Sequence, residues 1–204
     1  MKHTGSKNDM TITTEIALIS AVRAAGLEVF YEYSCNSLSR HYKIDFVVGK
    51  SAGNGEMYIQ GMTGVELKTS MSNLCAGGGL NIKSFPYNYI LVPEYMAYAA
   101  IKYMMQNEKR FLHVGLLALR EDYSFVICKY AEFINPNPYS ESAIDIEKEN
   151  PTDYQDSVAQ MVSVSNPNTV ISVHNFQTGE TRKETWKYRL NRKQAKDKAE
   201  KKTA

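Results

Sequence analysis

Cysteine is scarce: three in 204 residues, at positions 35, 75 and 128. They are too few and too scattered for a disulfide framework or a cysteine-rich zinc site, and imply reduced thiols in an intracellular protein. No apolar run reaches membrane-spanning length, and the opening MKHTGSKNDM lacks the apolar segment of a signal peptide. A soluble cytoplasmic protein is therefore expected. Histidine is also rare, at four residues, and none stands with Cys or Ser in a triad-like pattern; His41 and His113 read as structural or surface groups. The run Gly77-Gly78-Gly79 lacks the Gly-Lys-Ser/Thr of a phosphate-binding P-loop. Internal repeats are absent.

What is present is an ordinary globular composition. Hydrophobic residues make up 43% of the chain, enough for a sizeable core, and the length suits one domain with extensions. The net charge of +2 names no partner, but its distribution is uneven. From Thr181 onward there are ten basic and three acidic residues; the first 180 residues hold fourteen basic and nineteen acidic. A basic end on an acidic body suits a polyanionic partner, and it equally suits a solubilising tail.

The hydrophobic pattern predicts a helix over TTEIALISAVRAAG, with a Thr cap and Gly26 as its stop. Strands are predicted at LEVFYEYSC, YKIDFVVG and MTGVELKTS, and a short all-apolar strand at YNYILVP. A helix follows, with Pro93 at its start, and then strands at HVGLLALRED and YSFVICKYAEFI. This order implies an α/β fold around a mixed sheet. NPNP at 135–138 marks a break. The expected organisation is a domain over 1–135, an extension of uncertain structure over 136–180 with a helix near DYQDSVAQMV, and a basic tail over 181–204. The fourteen tyrosines read as core or amphipathic surface.

One stretch resists the bland reading. In GVELK, residues 64–68, Val65 and Leu67 point to one face of a strand, so Glu66 and Lys68 share the other. In the preceding strand Asp45 interrupts an apolar run between Ile44 and Phe46. Antiparallel pairing can set Asp45 beside Glu66. Crowded carboxylates raise each other's pKa unless a positive charge joins them. Lys68 supplies one, and Mg²⁺, which prefers oxygen ligands, would supply two more. Such a group suits phosphodiester hydrolysis. Glu15 belongs to the helical stripe of Leu18, Ile19 and Val22, so its carboxylate is expected to face the sheet. The competing readings are an exposed cross-strand ion pair for Glu66 and Lys68, an edge charge for Asp45, and a helix-dipole partner for Glu15.

A helix bearing Glu, a strand, KIDFVV, and GVELKTS after twenty intervening residues together resemble the PD-(D/E)XK nuclease superfamily over about residues 10–130. The resemblance implies a restriction-endonuclease-like fold, a mixed central sheet flanked by helices, with a C-terminal extension here. It implies a Mg²⁺-dependent nuclease, with Mn²⁺ as a substitute. Asp45, Glu66 and the Leu67 carbonyl would hold the metal. Lys68 would be catalytic, and Glu15 would complete the shell or bind a second ion. A Pro commonly precedes the strand Asp in that superfamily; here Lys43 and Ile44 stand before Asp45. E-x-K alone is a weak signal: it occurs once more, at Glu200-Lys201-Lys202, in the charged tail. The expected partner is DNA, with RNA open, and Asn81, Lys83, Arg192, Lys193 and Lys196 as candidate phosphate contacts. Double-strand cleavage needs two sites, so a homodimer is expected. The rival expectation is a non-catalytic module, binding nucleic acid or protein, that keeps the fold.

Overall fold

A computed structural model describes residues 9–37, 40–53, 56–58, 61–76, 85–135, 143–144, 153–175 and 177–185. Asn81, Lys83, the triple glycine, and Arg192, Lys193 and Lys196 lie outside the described residues.

Helix α1 spans Asp9–Ala24. It ends where Gly26 takes φ +66°, a left-handed conformation that costs a glycine nothing. The helix starts earlier than the Thr cap predicted. Thr14 instead returns its hydroxyl to the Met10 carbonyl within the helix, so Glu15 lies in the second turn, past the strongest part of the helix dipole.

The central sheet has six strands in the order β1-β2-β5-β6-β7-β8. These are β1 (Glu28–Ser37), β2 (Arg40–Gly49), β5 (Thr63–Leu67), β6 (Tyr87–Pro93), β7 (Gly115–Leu119) and β8 (Phe125–Lys129). The interior pairs β5–β6 and β6–β7 are parallel, and the outer pairs are antiparallel. Between β2 and β5 lie the short strands β3 (Ser51–Gly53) and β4 (Glu56–Tyr58), and β9 (Ala143–Ile144) pairs with β4. Helix α2 (Met71–Ala76) follows β5, and α3 (Glu94–Gln106) starts directly after Pro93.

Both sheet faces are covered, which explains why all of β6 and β7 are buried. One face carries Phe46, Val65, Tyr89, Leu91 and Leu117 against Leu18 and Val22 of α1. The other carries Ile90, Val92, Leu116 and Ala118 against Met96, Ala100 and Met104 of α3.

The segment after the NPNP break is not peripheral. Strand β10 (Tyr154–Gln155), helix α4 (Ser157–Ser165), β11 (Val170–His174) and β12 (Thr181–Thr185) follow in order. Val158, Met161 and Val162 of α4 join α1 in the first core. The expected separate extension over 136–180 thus contributes residues 153–175 to the main body. The expected tail begins as β12, where Arg182 pairs with Asp153 and Glu184. Among the described residues no helix is long and apolar enough to cross a membrane.

Candidate active site at the β2–β5 rung

Strand β2 pairs with β5 through Phe46–Val65, Val47–Gly64 and Val48–Thr63. The next step of that register sets Asp45 opposite Glu66, and residues opposite each other in an antiparallel pair share a sheet face. The backbone ladder stops at this step. The Leu67 amide donates instead to Asp45 Oδ2 at 2.8 Å. On the other side of β2 the ladder also breaks at Asp45: Tyr31 pairs Phe46 and Tyr33 pairs Ile44, while Glu32 between them adopts φ +45°. Asp45 therefore stands where side-chain hydrogen bonding takes over from the backbone pairing of β2 with β5.

Lys68 Nζ donates to Glu66 Oε1 at 2.8 Å, and both side chains are only about one-seventh exposed, 14% and 16%. The other Glu66 oxygen, Oε2, is buried without a hydrogen-bond partner. Burial is the main force that lifts the Glu66 pKa above the usual carboxylate value; the Asp45 charge adds to it, and Lys68 and the Asp45 backbone amide oppose it. Burial likewise raises Asp45, against the Leu67 amide and Lys68, with smaller upward pushes from Glu32 and Glu15.

Glu15 sits on α1, over the face that carries Val65 and Leu67. Alternation sends Glu66 and Lys68 to the opposite face. The Glu15 charge reaches Asp45 but is the smallest of the named influences there. Among the described residues no three His, Cys, Asp or Glu side chains form a metal-holding group. Asp45, Glu66 and Lys68 are thus brought together, and the Glu15 charge is felt at Asp45. Glu32 was not foreseen. Its position opposite Asp45 follows from the β1–β2 register, which no local pattern encodes, and its backbone carries no glycine signal.

A metal fits this donor set on one observation. An unpartnered carboxylate oxygen in a desolvated site is costly, and a cation beside it removes that cost. Two carboxylates and the Leu67 carbonyl are hard oxygen donors of the kind Mg²⁺ takes.

No protein-family profile matches the chain, and no curated protein does either. Among solved structures the chain is similar to the SPO1766 protein of unknown function from Silicibacter pomeroyi. The identity is 16% and the TM-score 0.42, over 61% of this chain and 73% of that one.

Proposed function

We propose that this chain is a divalent-metal-dependent nuclease of the restriction-endonuclease-like type, acting on DNA. The observation that carries the reading is the Glu66 carboxylate, with one oxygen on Lys68 and the other buried and unpartnered, one strand away from Asp45. Asp45, Glu66 and the Leu67 carbonyl would hold Mg²⁺ or Mn²⁺. The ion, when bound, supplies the positive charge that polarises a phosphoryl oxygen. Glu15, whose charge reaches Asp45, would complete the shell or bind a second ion.

The residues themselves do the rest. The Asp45 carboxylate is oriented by the Leu67 amide. The Lys68 ammonium has three donors, and only the one on Glu66 is accounted for. The others can meet a phosphate oxygen as charge develops there. In the hydrolysis the oxygen of water bonds to phosphorus as one P–O ester bond breaks. One proton ends on the leaving oxygen and the other goes to solvent.

The test is incubation with supercoiled, linear and single-stranded DNA, and with RNA, in Mg²⁺, in Mn²⁺ and in EDTA. Cleavage in either metal, absent in EDTA and in Glu66→Ala, is the expected result. A well-folded protein that cuts nothing would leave the non-catalytic binding module as the better reading.

A further inference from the structure

A cleft of about 470 Å³ opens at the same end of the sheet as Glu66, and its lining points to a substrate class. It opens at the carboxyl ends of the parallel strands β6 and β7. Pro93, Leu119 and Met10 give it an apolar lining, Tyr95 and Tyr123 add aromatic walls, and Thr13, Glu94, Arg120 and Glu121 are its polar groups. Tyr95 donates its hydroxyl to the carbonyl of Thr69, next to Lys68, at 3.4 Å. Strand β6 is the parallel neighbour of β5, and β7 is the next strand. Glu66 pairs with Ile90, three residues before Pro93, so at ~5 Å per strand and ~3.3 Å per residue the cleft lies roughly 11–14 Å from Glu66. That is within reach of a nucleotide a short way along a strand whose phosphate is held at the carboxylates.

The chemistry of the lining selects among possible occupants. Two carboxylates and one guanidinium leave the cleft net negative, which disfavours a phosphate. Glu94 already holds Arg120, at 3.3 Å, and both are about half exposed. Carboxylates accept from the amino groups of a base, and Arg donates to its carbonyl and ring-nitrogen acceptors. The tyrosines offer ring faces. Tyr95 and Tyr123 are 74% and 62% exposed, so their rings are open to a base. Tyr123 is also held at φ +63°, strained for a bulky residue. The turn enforces it: the Tyr123 amide donates to the Arg120 carbonyl at 3.1 Å, the Arg120 amide to the Ser124 carbonyl at 2.9 Å, and Asp122 Oδ1 accepts from the Ser124 amide and hydroxyl.

We infer that this cleft receives an unpaired nucleobase of the substrate strand, stacked on Tyr95 and Tyr123, so that the protein acts on single-stranded or frayed nucleic acid in preference to intact duplex. This rests on the nuclease reading above. A base inside a duplex presents neither its faces nor its pairing edge, so it cannot enter. Aromatic stacking binds bases with little regard to their identity, so the cleft selects for strandedness more than for sequence.

The probe is a single-stranded oligonucleotide carrying one 2-aminopurine, titrated in EDTA so that no cutting occurs. Wild type is expected to quench its fluorescence. Tyr95→Ala with Tyr123→Gly, the second chosen because glycine accepts the left-handed backbone, is expected to abolish the quenching and weaken binding ~10-fold. Tyr98→Ala, an exposed tyrosine of α3 outside the cleft, is expected to leave both unchanged. With Mg²⁺ added, wild type should cut single strands faster than duplex, and the double variant should lose that preference. Equal quenching by wild type and double variant, or no quenching by wild type, overturns the inference. Duplex cleaved as fast as single strand overturns it while leaving the nuclease intact. A wild type that quenches but cuts nothing upholds the cleft and removes the nuclease.

Discussion

Two of the places where the described residues bury carboxylates treat them differently. At the amino end of α4, Asp156 is 1% exposed and fully partnered. The Tyr89 hydroxyl donates to its Oδ2 at 2.6 Å and the Ala159 amide to its Oδ1 at 3.0 Å. The Tyr89 hydroxyl in turn accepts from the Ala131 amide at 3.2 Å. At the β2–β5 rung, Glu66 and Asp45 are less deeply buried, yet one Glu66 oxygen has no partner. A buried polar group that is fully bonded holds a fold in one arrangement. One left partly unbonded is costly to the fold; the Tyr87 hydroxyl and Arg110 Nε share that state with Glu66 Oε2, and Glu66 alone of the three has a second carboxylate one strand away.

The contrast can be broken from either side. The largest effect expected is on catalysis: Lys68→Ala should lower cleavage ~10²–10³-fold, since it removes a fixed positive charge from the developing one. Denaturation midpoints should move much less than the rate. A variant that unfolds as its activity falls would assign Lys68 to the fold instead.

Asp156→Ala should do the reverse. It removes a helix cap and strands the Tyr89 hydroxyl in the core, at a cost of about 3 kcal/mol by urea denaturation. A loss below about 1 kcal/mol would mean that the core relaxes around the gap.

The two regions also diverge with pH. Burial pushes the Asp156 carboxyl up to about 6, despite its hydrogen bonds. The folded state therefore holds a proton that the unfolded chain, near the ordinary 3.8, has released. The stability this contributes is full below the unfolded pKa and is lost as pH rises through 6. The urea midpoint should thus be higher at pH 5 than at pH 7, by on the order of 1 kcal/mol from this group, and Asp156→Asn should flatten the difference. The raised Asp45 and Glu66 act in the same sense on stability. Metal binding needs them ionised, so activity should climb over the range where stability declines. Activity and stability rising together with pH would refute this assignment.

The smallest effect sharpens the strain beside Asp45. Glu32→Gly, at φ +45°, should stabilise the protein by about 0.5–1 kcal/mol, because glycine accepts that backbone freely. Its exposed pairing with Lys43, at 3.2 Å, offsets little of that. Thermal denaturation of the variant against wild type reads the difference.

How legible was this contrast? The charged strand was readable because alternation forces Glu66 and Lys68 onto one face and chain order suggests a neighbour for Asp45. Most strands and α3 were readable for the same reason, since their patterns are local. Asp156 as a cap was within reach of helix-start chemistry, but its partner was not. Tyr89 lies 67 residues away inside an all-apolar strand. Its ring also needs the space left at Gly115, where a Cβ would come within 2.3 Å of it. Pairings of that span come from packing, which no short window of sequence records. The tyrosines show the same limit. Composition could not separate Tyr87 and Tyr89, fully buried, from Tyr95 and Tyr123, on the surface.

The joint between α4 and the sheet has a consequence for how the protein is born. Ser157 donates its hydroxyl to the Gly61 carbonyl at 2.5 Å and its amide to Thr63 Oγ1 at 3.0 Å, contacts that span 96 and 94 residues. Gln160 donates to the Ala25 carbonyl across 135. A ribosome adding ~5–20 residues per second needs roughly 5–20 s to make the stretch between Gly61 and Ser157. Throughout that interval the nascent chain carries the start of β5 and the end of α1 without their closing partners. The start of β5 is tied down by the two Ser157 hydrogen bonds only when α4 has emerged.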